Sequence, residues 1–81
     1  MKTAKKLVPL RDSVVVDITR GEKYYVGVCH ELGVVTQGKT VADLKKNLRE
    51  AIDLSLEDGD NLEYGMVEHP DIVLNLEQEE K

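Results

Sequence analysis

A change of hydrophobic period near the middle of the chain limits the folds open to this sequence more than any other feature does. The segment GVVTQGKTVADLKKNLREAIDLSLED, residues 33–58, begins with strand-like alternation and continues as a charged amphipathic run. Alternation is typical of a half-buried strand, whereas apolar residues three and four positions apart are typical of a helix. Because only Gly38 and Lys39 separate the two patterns, the segment predicts a strand, a tight turn and a helix in immediate succession.

The predicted helix has a defined start, a defined end and one apolar stripe. Thr40 is a good N-cap, and Asp43 at the third helical position gives a signal similar to a capping box. Gly59 is expected to end the helix. Leu54 lies off the stripe that faces the core, so it is either an isolated exposed leucine or part of a self-association contact. The stripe consists of Val41, Leu44, Leu48, Ala51, Ile52 and Ser55.

Four segments of the chain have the alternating pattern of strands, three before the helix and one after it. A turn centred on Gly21 and Glu22 joins the first two into a hairpin, in which Ile18 is expected opposite Tyr25. A right-handed crossover then places the helix on one face of a mixed sheet. The predicted strands are residues 13–19, 24–29, 34–37 and 72–76.

The single helix leaves the other face of this sheet without a cover. Val15, Val26, Val28 and Val73 are expected to point to that uncovered face. A bare, partly apolar face predicts association with another copy of the chain or with another protein.

Length and composition indicate one globular domain spanning residues 1–81, with an ordered core of about residues 8–76 and frayed ends. The chain is 41% hydrophobic and 33% charged, which is too apolar for a disordered protein. No apolar run is long enough for a membrane helix, and the basic start lacks the apolar region of a signal peptide. A single cysteine, Cys29, favours the reducing cytoplasm.

Charge is distributed unevenly along the chain. The net charge is -5, but residues 1–49 carry ten basic and five acidic side chains, whereas residues 50–81 carry one basic and eleven acidic. The acidic half would repel phosphate, which argues against nucleic-acid binding by the whole chain and favours a basic partner. A solvated acidic surface that aids solubility explains the same pattern without any partner.

The candidate catalytic and metal-binding residues are too scattered for either role. Neighbours on a strand point to opposite faces, so Cys29 and His30 cannot share one ion, and a buried thiol is expected. Glu50 faces away from the sheet, and Asp17 and Asp71 are expected roughly 13 Å apart at about 3.3 Å per residue. Two-metal catalysis requires carboxylates that converge on ions about 4 Å apart. The sequence therefore predicts no catalytic residue, no metal site and no cofactor.

Residues 24–58, YYVGVCHELGVVTQGKTVADLKKNLREAIDLSLED, closely resemble the HicB-like antitoxin family, particularly its short archaeal-type members. The most specific elements are T-Q-G-x-T and N-L-x-E-A. Three positions depart from the family pattern: His30 stands where proline is usual, Leu44 where alanine is usual and Ser55 where tyrosine is common. The matching positions with an expected structural role are Gln37, Gly38, Thr40, Asn47, Leu48 and Ala51.

The resemblance implies a partial ribonuclease H-like fold, β-β-β-α-β, with a four-stranded mixed sheet in the order 3-2-1-4 and one helix packed on one face. It also implies a non-catalytic function, because family members neutralise a small basic, mRNA-cleaving toxin of HicA type by masking its active site. Many members carry a C-terminal DNA-binding domain. This sequence ends with EQEEK instead, so no direct DNA binding is expected.

Two functions from different classes are consistent with these observations. The first is an antitoxin-like protein, a homodimer or higher oligomer, that binds a basic toxin. The second is an orphan structural domain that self-associates and has no toxin; a metal-dependent nuclease is a remote third. Partner contacts are expected at Tyr24, Tyr25, Glu31, Leu54 and Glu57, because aromatic side chains and complementary charge often anchor interfaces.

Overall fold

A helix lies across one face of a four-stranded mixed sheet in the computed structural model, which describes residues 9–76. The elements are β1 (Arg11–Arg20), β2 (Tyr25–Cys29), β3 (Val34–Gly38), α1 (Val41–Ser55), a 3-10 turn (Glu57–Gly59), α2 (Asp60–Glu63) and β4 (Met66–Leu76). The strand order is β3-β2-β1-β4, with β4 parallel to β1 and the other neighbours antiparallel. This arrangement confirms the predicted α+β fold and its order 3-2-1-4. The ends expected to be frayed, residues 1–7 and 77–81, lie outside the described part.

The core lies between α1 and the covered face of the sheet. Leu44, Leu48 and Ile52 of α1 are completely buried, as expected from their helical spacing. Val41 and Ser55, at the ends of the predicted stripe, are exposed and half-buried respectively. Other buried apolar residues are Val14, Val16, Ile18, Cys29, Leu32, Val34, Leu56 and Met66.

The junction between β3 and α1 is closed by the residues of the T-Q-G-x-T and N-L motifs. A Cβ atom on Gly38 would stand 2.5 Å from the backbone nitrogen of Leu44, so only glycine fits there. The Thr40 hydroxyl caps α1 by accepting a 3.0 Å hydrogen bond from the Asp43 amide. The Asn47 side-chain amide donates to the Gln37 carbonyl at 2.8 Å. These contacts fix the helix against the end of β3.

The hairpin between β1 and β2 differs from the predicted register by two residues. Arg20 pairs with Tyr25 and Ile18 with Gly27, so the predicted pair of Ile18 and Tyr25 is wrong. The turn contains four residues, and the Gly21 amide donates to the Tyr24 carbonyl across it at 2.8 Å. A shift of two residues keeps every side chain on its predicted face.

The segment after α1 is more ordered than the sequence indicates. The helix ends at Ser55, four residues before Gly59, because Asp58 (φ 57°) and Gly59 (φ 86°) adopt left-handed backbone conformations that cannot continue it. The short helix α2 follows, and β4 begins at Met66 rather than Ile72. No helix within residues 9–76 is both long and apolar enough to cross a membrane.

β4 contains a bulge that the sequence does not reveal. Arg11 pairs with Met66 and Ser13 with Asp71, so two steps along β1 correspond to five along β4. Residues 67–70 are therefore displaced from regular pairing. Pro70, which cannot donate a backbone hydrogen bond, is tolerated because β4 is an edge strand.

The uncovered face of the sheet is partly apolar, as predicted. Val15 and Val73 are 47% and 48% exposed, and Val26 and Val28 are half-buried. Val35, on β3, also belongs to this face and is 67% exposed.

Candidate functional site

A groove between α1 and β4 is the most distinctive surface of the described residues. α1 makes most of its contacts with the sheet on β3, so the inner face of β4 is only partly covered. Ile72 and Leu74 are half-buried there, and Leu76 at the strand end is 54% exposed. The predicted common face of these three residues is thus observed, but it lines a groove rather than a closed core.

The groove half nearer the start of α1 is basic. Its cavity of about 360 Å³ has Ile72 and Leu74 along the strand side and Lys45, Lys46 and Arg49 along the helix side. Neither Lys45 nor Lys46 forms an ion pair within residues 9–76. An apolar floor beside free ammonium groups can receive a ligand that is apolar in the middle and acidic at its edge.

Arg49 spans the middle of the groove and connects the helix to the strand. Its guanidinium donates to the Pro70 carbonyl at 2.8 Å and to the Asp53 carboxylate at 2.9 Å. The Arg49–Asp53 pair has the i, i+4 spacing that brings side chains together on a helix. The carbonyl of Pro70 is free to accept because the bulge removes it from the ladder with β1.

The groove half nearer the end of α1 is acidic. A second cavity, of about 190 Å³, lies between the end of α1 and the β4 bulge. His69 Nδ1 lies 3.2 Å from the Asp53 carboxylate, so Asp53 has two nitrogen partners. The other carboxylates of this cavity, those of Glu57, Asp58 and Glu68, form no ion pair among the described residues. The cavity is lined by Asp53, Leu56, Glu57, Asp58, Glu68 and His69.

Local backbone features position the acidic half. The left-handed conformation of Asp58 turns the chain sharply after α1 and holds Glu57 and Asp58 at the rim. The bulge projects Glu68 and His69 from β4 toward the same cavity. The buried Asn61 side chain donates to the Met66 carbonyl at 2.8 Å, which fixes α2 to the start of β4.

The five contact residues expected from the sequence do not form one surface. Tyr24 and Tyr25 lie at the hairpin end of β2, with the Arg20 guanidinium 5.9 Å from the centre of the Tyr25 ring. Glu31 lies beyond the opposite end of β2 and is paired with Arg11. The hydrogen bond to Glu31 and the negative charge of Glu31 raise the pKa of the Arg11 guanidinium. Leu54 is 65% exposed on the outer face of α1.

Of these five residues, only Glu57 lines the charged groove. The groove residues that sequence reasoning missed were nevertheless signalled on α1. Lys45, Arg49, Asp53 and Glu57 follow one another at i, i+4 spacing, and the sign of the charge changes halfway along this row. Glu68 and His69 carried no such signal, because the bulge that places them cannot be read from the sequence.

The uncovered sheet face carries a small polar cluster among its valines. The Asn75 side-chain amide donates to Asp17 at 2.8 Å, and His30 Nε2 lies 3.3 Å from the other Asp17 oxygen. These three residues satisfy one another, so Asp17 is not a free carboxylate.

The three carboxylates considered for a nuclease do not converge. Asp71 pairs with Ser13, four residues from Asp17 along β1, which separates the two by roughly 13 Å at about 3.3 Å per residue. Glu50 is exposed on α1, on the other side of the sheet.

Cys29 is completely buried, as predicted, and is adjacent to an exposed His30. Within residues 9–76 no three His, Cys, Asp or Glu side chains are grouped to hold a metal ion.

Comparison with known proteins adds no relative to this picture: no protein-family model, no curated protein and no solved structure matches the chain. The resemblance to HicB-like antitoxins therefore stays a prediction. The function has to be argued from the groove and the charges that line it.

Proposed function

We propose that this protein is a non-catalytic, cytoplasmic binding protein that neutralises a small basic RNA-cleaving toxin of HicA type by covering its active site. The observation that carries the proposal is the acidic half of the groove, where Glu57, Asp58 and Glu68 surround an open cavity without ion partners among the described residues. The proposal also rests on the resemblance of residues 24–58 to HicB-like antitoxins.

An RNA-cleaving toxin needs basic side chains to hold the phosphate backbone of its substrate. Carboxylates that compete for those side chains exclude RNA from the same surface. A cavity of about 190 Å³ accommodates the end of one Lys or Arg side chain, and Leu56 provides an apolar wall for its aliphatic stem. Inhibition of this kind requires binding alone.

The charge of the molecule also favours rapid capture of such a toxin. Residues 50–81 carry eleven acidic side chains and one basic side chain. This acidic surplus creates a field that attracts a cationic protein. Screening shortens this field to about 8 Å at physiological ionic strength, so the association rate should fall as salt rises.

An RNA-cleavage assay tests the proposal, with a small basic protein whose gene adjoins that of this chain as the toxin. The absence of any such gene would favour the orphan domain instead. The wild-type chain in stoichiometric excess should stop cleavage and co-elute with the toxin. The variant Glu57→Gln/Asp58→Asn/Glu68→Gln should require about tenfold more protein, because truncating charged contacts at an interface typically costs more than ~1.4 kcal/mol.

A matched control removes three negative charges elsewhere, in Glu22→Gln/Asp43→Asn/Glu63→Gln, at exposed positions that do not line the groove. Equal losses in both variants would show that total charge alone determines binding and would contradict the proposed site. Continued cleavage with no complex at low salt would reject the antitoxin function for that pair.

The exposed valines of the uncovered sheet face favour a second candidate function, the orphan self-associating domain. Val15, Val35 and Val73 are exposed on a face that no helix within residues 9–76 covers. This alternative would be supported if the chain binds no basic neighbour and if its self-association is weakened by Val15→Thr or by Val73→Thr.

A further inference from the structure

We propose that the groove between α1 and β4 is a self-complementary interface through which two copies of this chain form a two-fold symmetric dimer. This dimer needs no toxin, so it does not depend on the proposed function. The occupant of the groove is a second copy of the chain, as the order of charges along the groove indicates.

The groove is bipolar about its midpoint. Lys45, Lys46 and Arg49 line one half and Asp53, Glu57, Asp58 and Glu68 the other, with the Arg49–Pro70 hydrogen bond between the halves. Lys45 and Asp53 are eight residues apart on α1, which is about 12 Å at a rise of 1.5 Å per residue, and Glu57 lies beyond the end of the helix. The two ends of the groove are therefore farther apart than the Debye length of about 8 Å at physiological salt, so they do not cancel each other as seen by a partner.

A two-fold axis through the midpoint reverses the direction of the second groove. The basic half of each copy then lies on the acidic half of the other, and every charge contact occurs twice. Along α1 this arrangement places Lys45 opposite Glu57 of the second copy. Along β4 it places Leu74 near residue 68 of the second copy, because both sets of positions are centred on the same level of the groove. A surface with this property is what an isologous interface requires.

The charges available for this interface are unpaired within one copy. Lys45, Lys46, Glu57 and Glu68 form no ion pair among residues 9–76. Docking would also cover Ile72 and Leu74, which supply apolar surface that isolated surface ion pairs lack.

The uncovered sheet face fits a second copy less well on charge. Its central carboxylate, Asp17, is already paired with His30 and Asn75, and Arg11 is paired with Glu31. Among the described residues, that face offers valines and one unpaired carboxylate, Asp71, without the two opposed groups of charges that the groove carries. For this reason the groove, rather than the face identified from the sequence, is assigned to self-association.

Complementary charge reversal tests the dimer. Lys45→Glu/Lys46→Glu makes both halves of the groove mainly acidic, since Arg49 remains, and Glu57→Lys/Glu68→Lys makes them mainly basic. Each variant alone should have a dimer dissociation constant at least about tenfold above that of the wild type, because like charges then face each other. An equimolar mixture of the two should recover a dimer within about threefold of wild-type strength, since both contact regions become complementary again. Sedimentation equilibrium against the 9.1 kDa mass of one chain gives these constants.

Matched controls carry the same charge changes outside the groove, in Lys23→Glu/Lys39→Glu and Glu22→Lys/Glu63→Lys. The mixture of these controls should show no gain over either control alone. The proposal is overturned if the groove variants dimerise as well as their controls do, or if their mixture stays monomeric. It is also overturned if the wild-type chain is monomeric at about 1 mM in low salt, a concentration at which even very weak association is detected.

Concentration-dependent amide chemical shifts of the wild-type chain provide a measurement that does not depend on the folding of a variant. Shifts should concentrate on residues 45–58 and 68–74. Shifts confined to the uncovered face, around Val15, Val35 and Val73, would contradict the groove and indicate that the sheet face is the interface.

Discussion

The two flanks of α1 differ sharply in how they meet the sheet. On the flank toward β3, Gly38 allows the backbones to approach so closely that no side chain fits, and Asn47 bonds the helix to the Gln37 carbonyl. On the flank toward β4, two polar contacts cross an open groove, from Arg49 to the Pro70 carbonyl and from His69 to Asp53. The flank toward β3 is thus closely packed, whereas the flank toward β4 is an open groove lined by charged side chains.

This difference separates residues that hold the fold from residues that are free to bind. Substitutions on the closed flank should alter stability strongly and association little. Substitutions on the open flank should do the reverse, because exposed charges contribute little to folding.

The closed flank should be broken most completely by Gly38→Ala. The added methyl group would lie 2.5 Å from the backbone nitrogen of Leu44, so α1 must move away from β3. We expect a loss of about 2–3 kcal/mol in the free energy of unfolding and a Tm lower by roughly 10 °C or more, because overpacking against backbone is costly. Thermal unfolding followed by circular dichroism measures both quantities.

Gly33→Ala is the matched control for this prediction. Gly33 has φ 68° but no atom within 4 Å of the added methyl group, so its cost should come only from backbone strain, about 1–2 kcal/mol. An equal or larger loss at Gly33 would show that close approach at Gly38 is not the dominant effect.

The hydrogen bond on the closed flank should have a smaller effect. Asn47→Ala removes the 2.8 Å contact to the Gln37 carbonyl, and we expect a loss of about 1 kcal/mol from chemical denaturation. Lys46→Ala, one position earlier on the exposed side of the helix, should change stability by less than about 0.5 kcal/mol. Equal effects of the two substitutions would remove the distinction between the flanks.

The same distinction explains which parts of the structure could be predicted from the sequence. Thr40, Gly38 and the Leu44–Leu48–Ile52 spacing follow local rules of capping, chain turning and helical period, so they predicted the strand–turn–helix unit. The sheet order 3-2-1-4 was implied by the resemblance to HicB-like antitoxins. The hairpin register failed because two- and four-residue turns both fit the alternation of the strands.

The open flank depends on features that no local sequence pattern predicted. The left-handed conformation of Asp58 and the bulge at residues 67–70 bring Glu68 and His69 to the end of α1. The charge row from Lys45 to Glu57 was visible in the sequence. Its meaning was not, because the strand that forms the other wall of the groove was expected to begin six residues later, at Ile72 instead of Met66.

A moderate effect on stability is expected at Arg49, which lines the open flank but also bonds α1 to β4. Arg49→Met keeps an unbranched apolar stem but removes the hydrogen bonds to the Pro70 carbonyl and to Asp53. We expect a loss of about 0.5–1 kcal/mol in the free energy of unfolding, smaller than at Gly38, since Arg49 is only partly buried. Hydrogen exchange should show faster opening of the β4 bulge, and unchanged exchange there would mean that the bulge is held by other contacts.

The smallest effect on stability is expected for Lys45→Gln/Lys46→Gln, although this variant changes the groove itself. Both ammonium groups are unpaired within residues 9–76, so the free energy of unfolding should stay within about 0.5 kcal/mol of the wild type. The dimer should nevertheless weaken, by a factor that shrinks as salt rises, because the lost contacts are electrostatic. Toxin capture should instead strengthen under the same substitution, for two reasons: the groove gains negative character, and the acidic half is less often occupied by a second copy. Opposite signs for the two associations, measured by sedimentation and by inhibition of RNA cleavage, would tie both to one groove; weakening of both would place the toxin on a different surface.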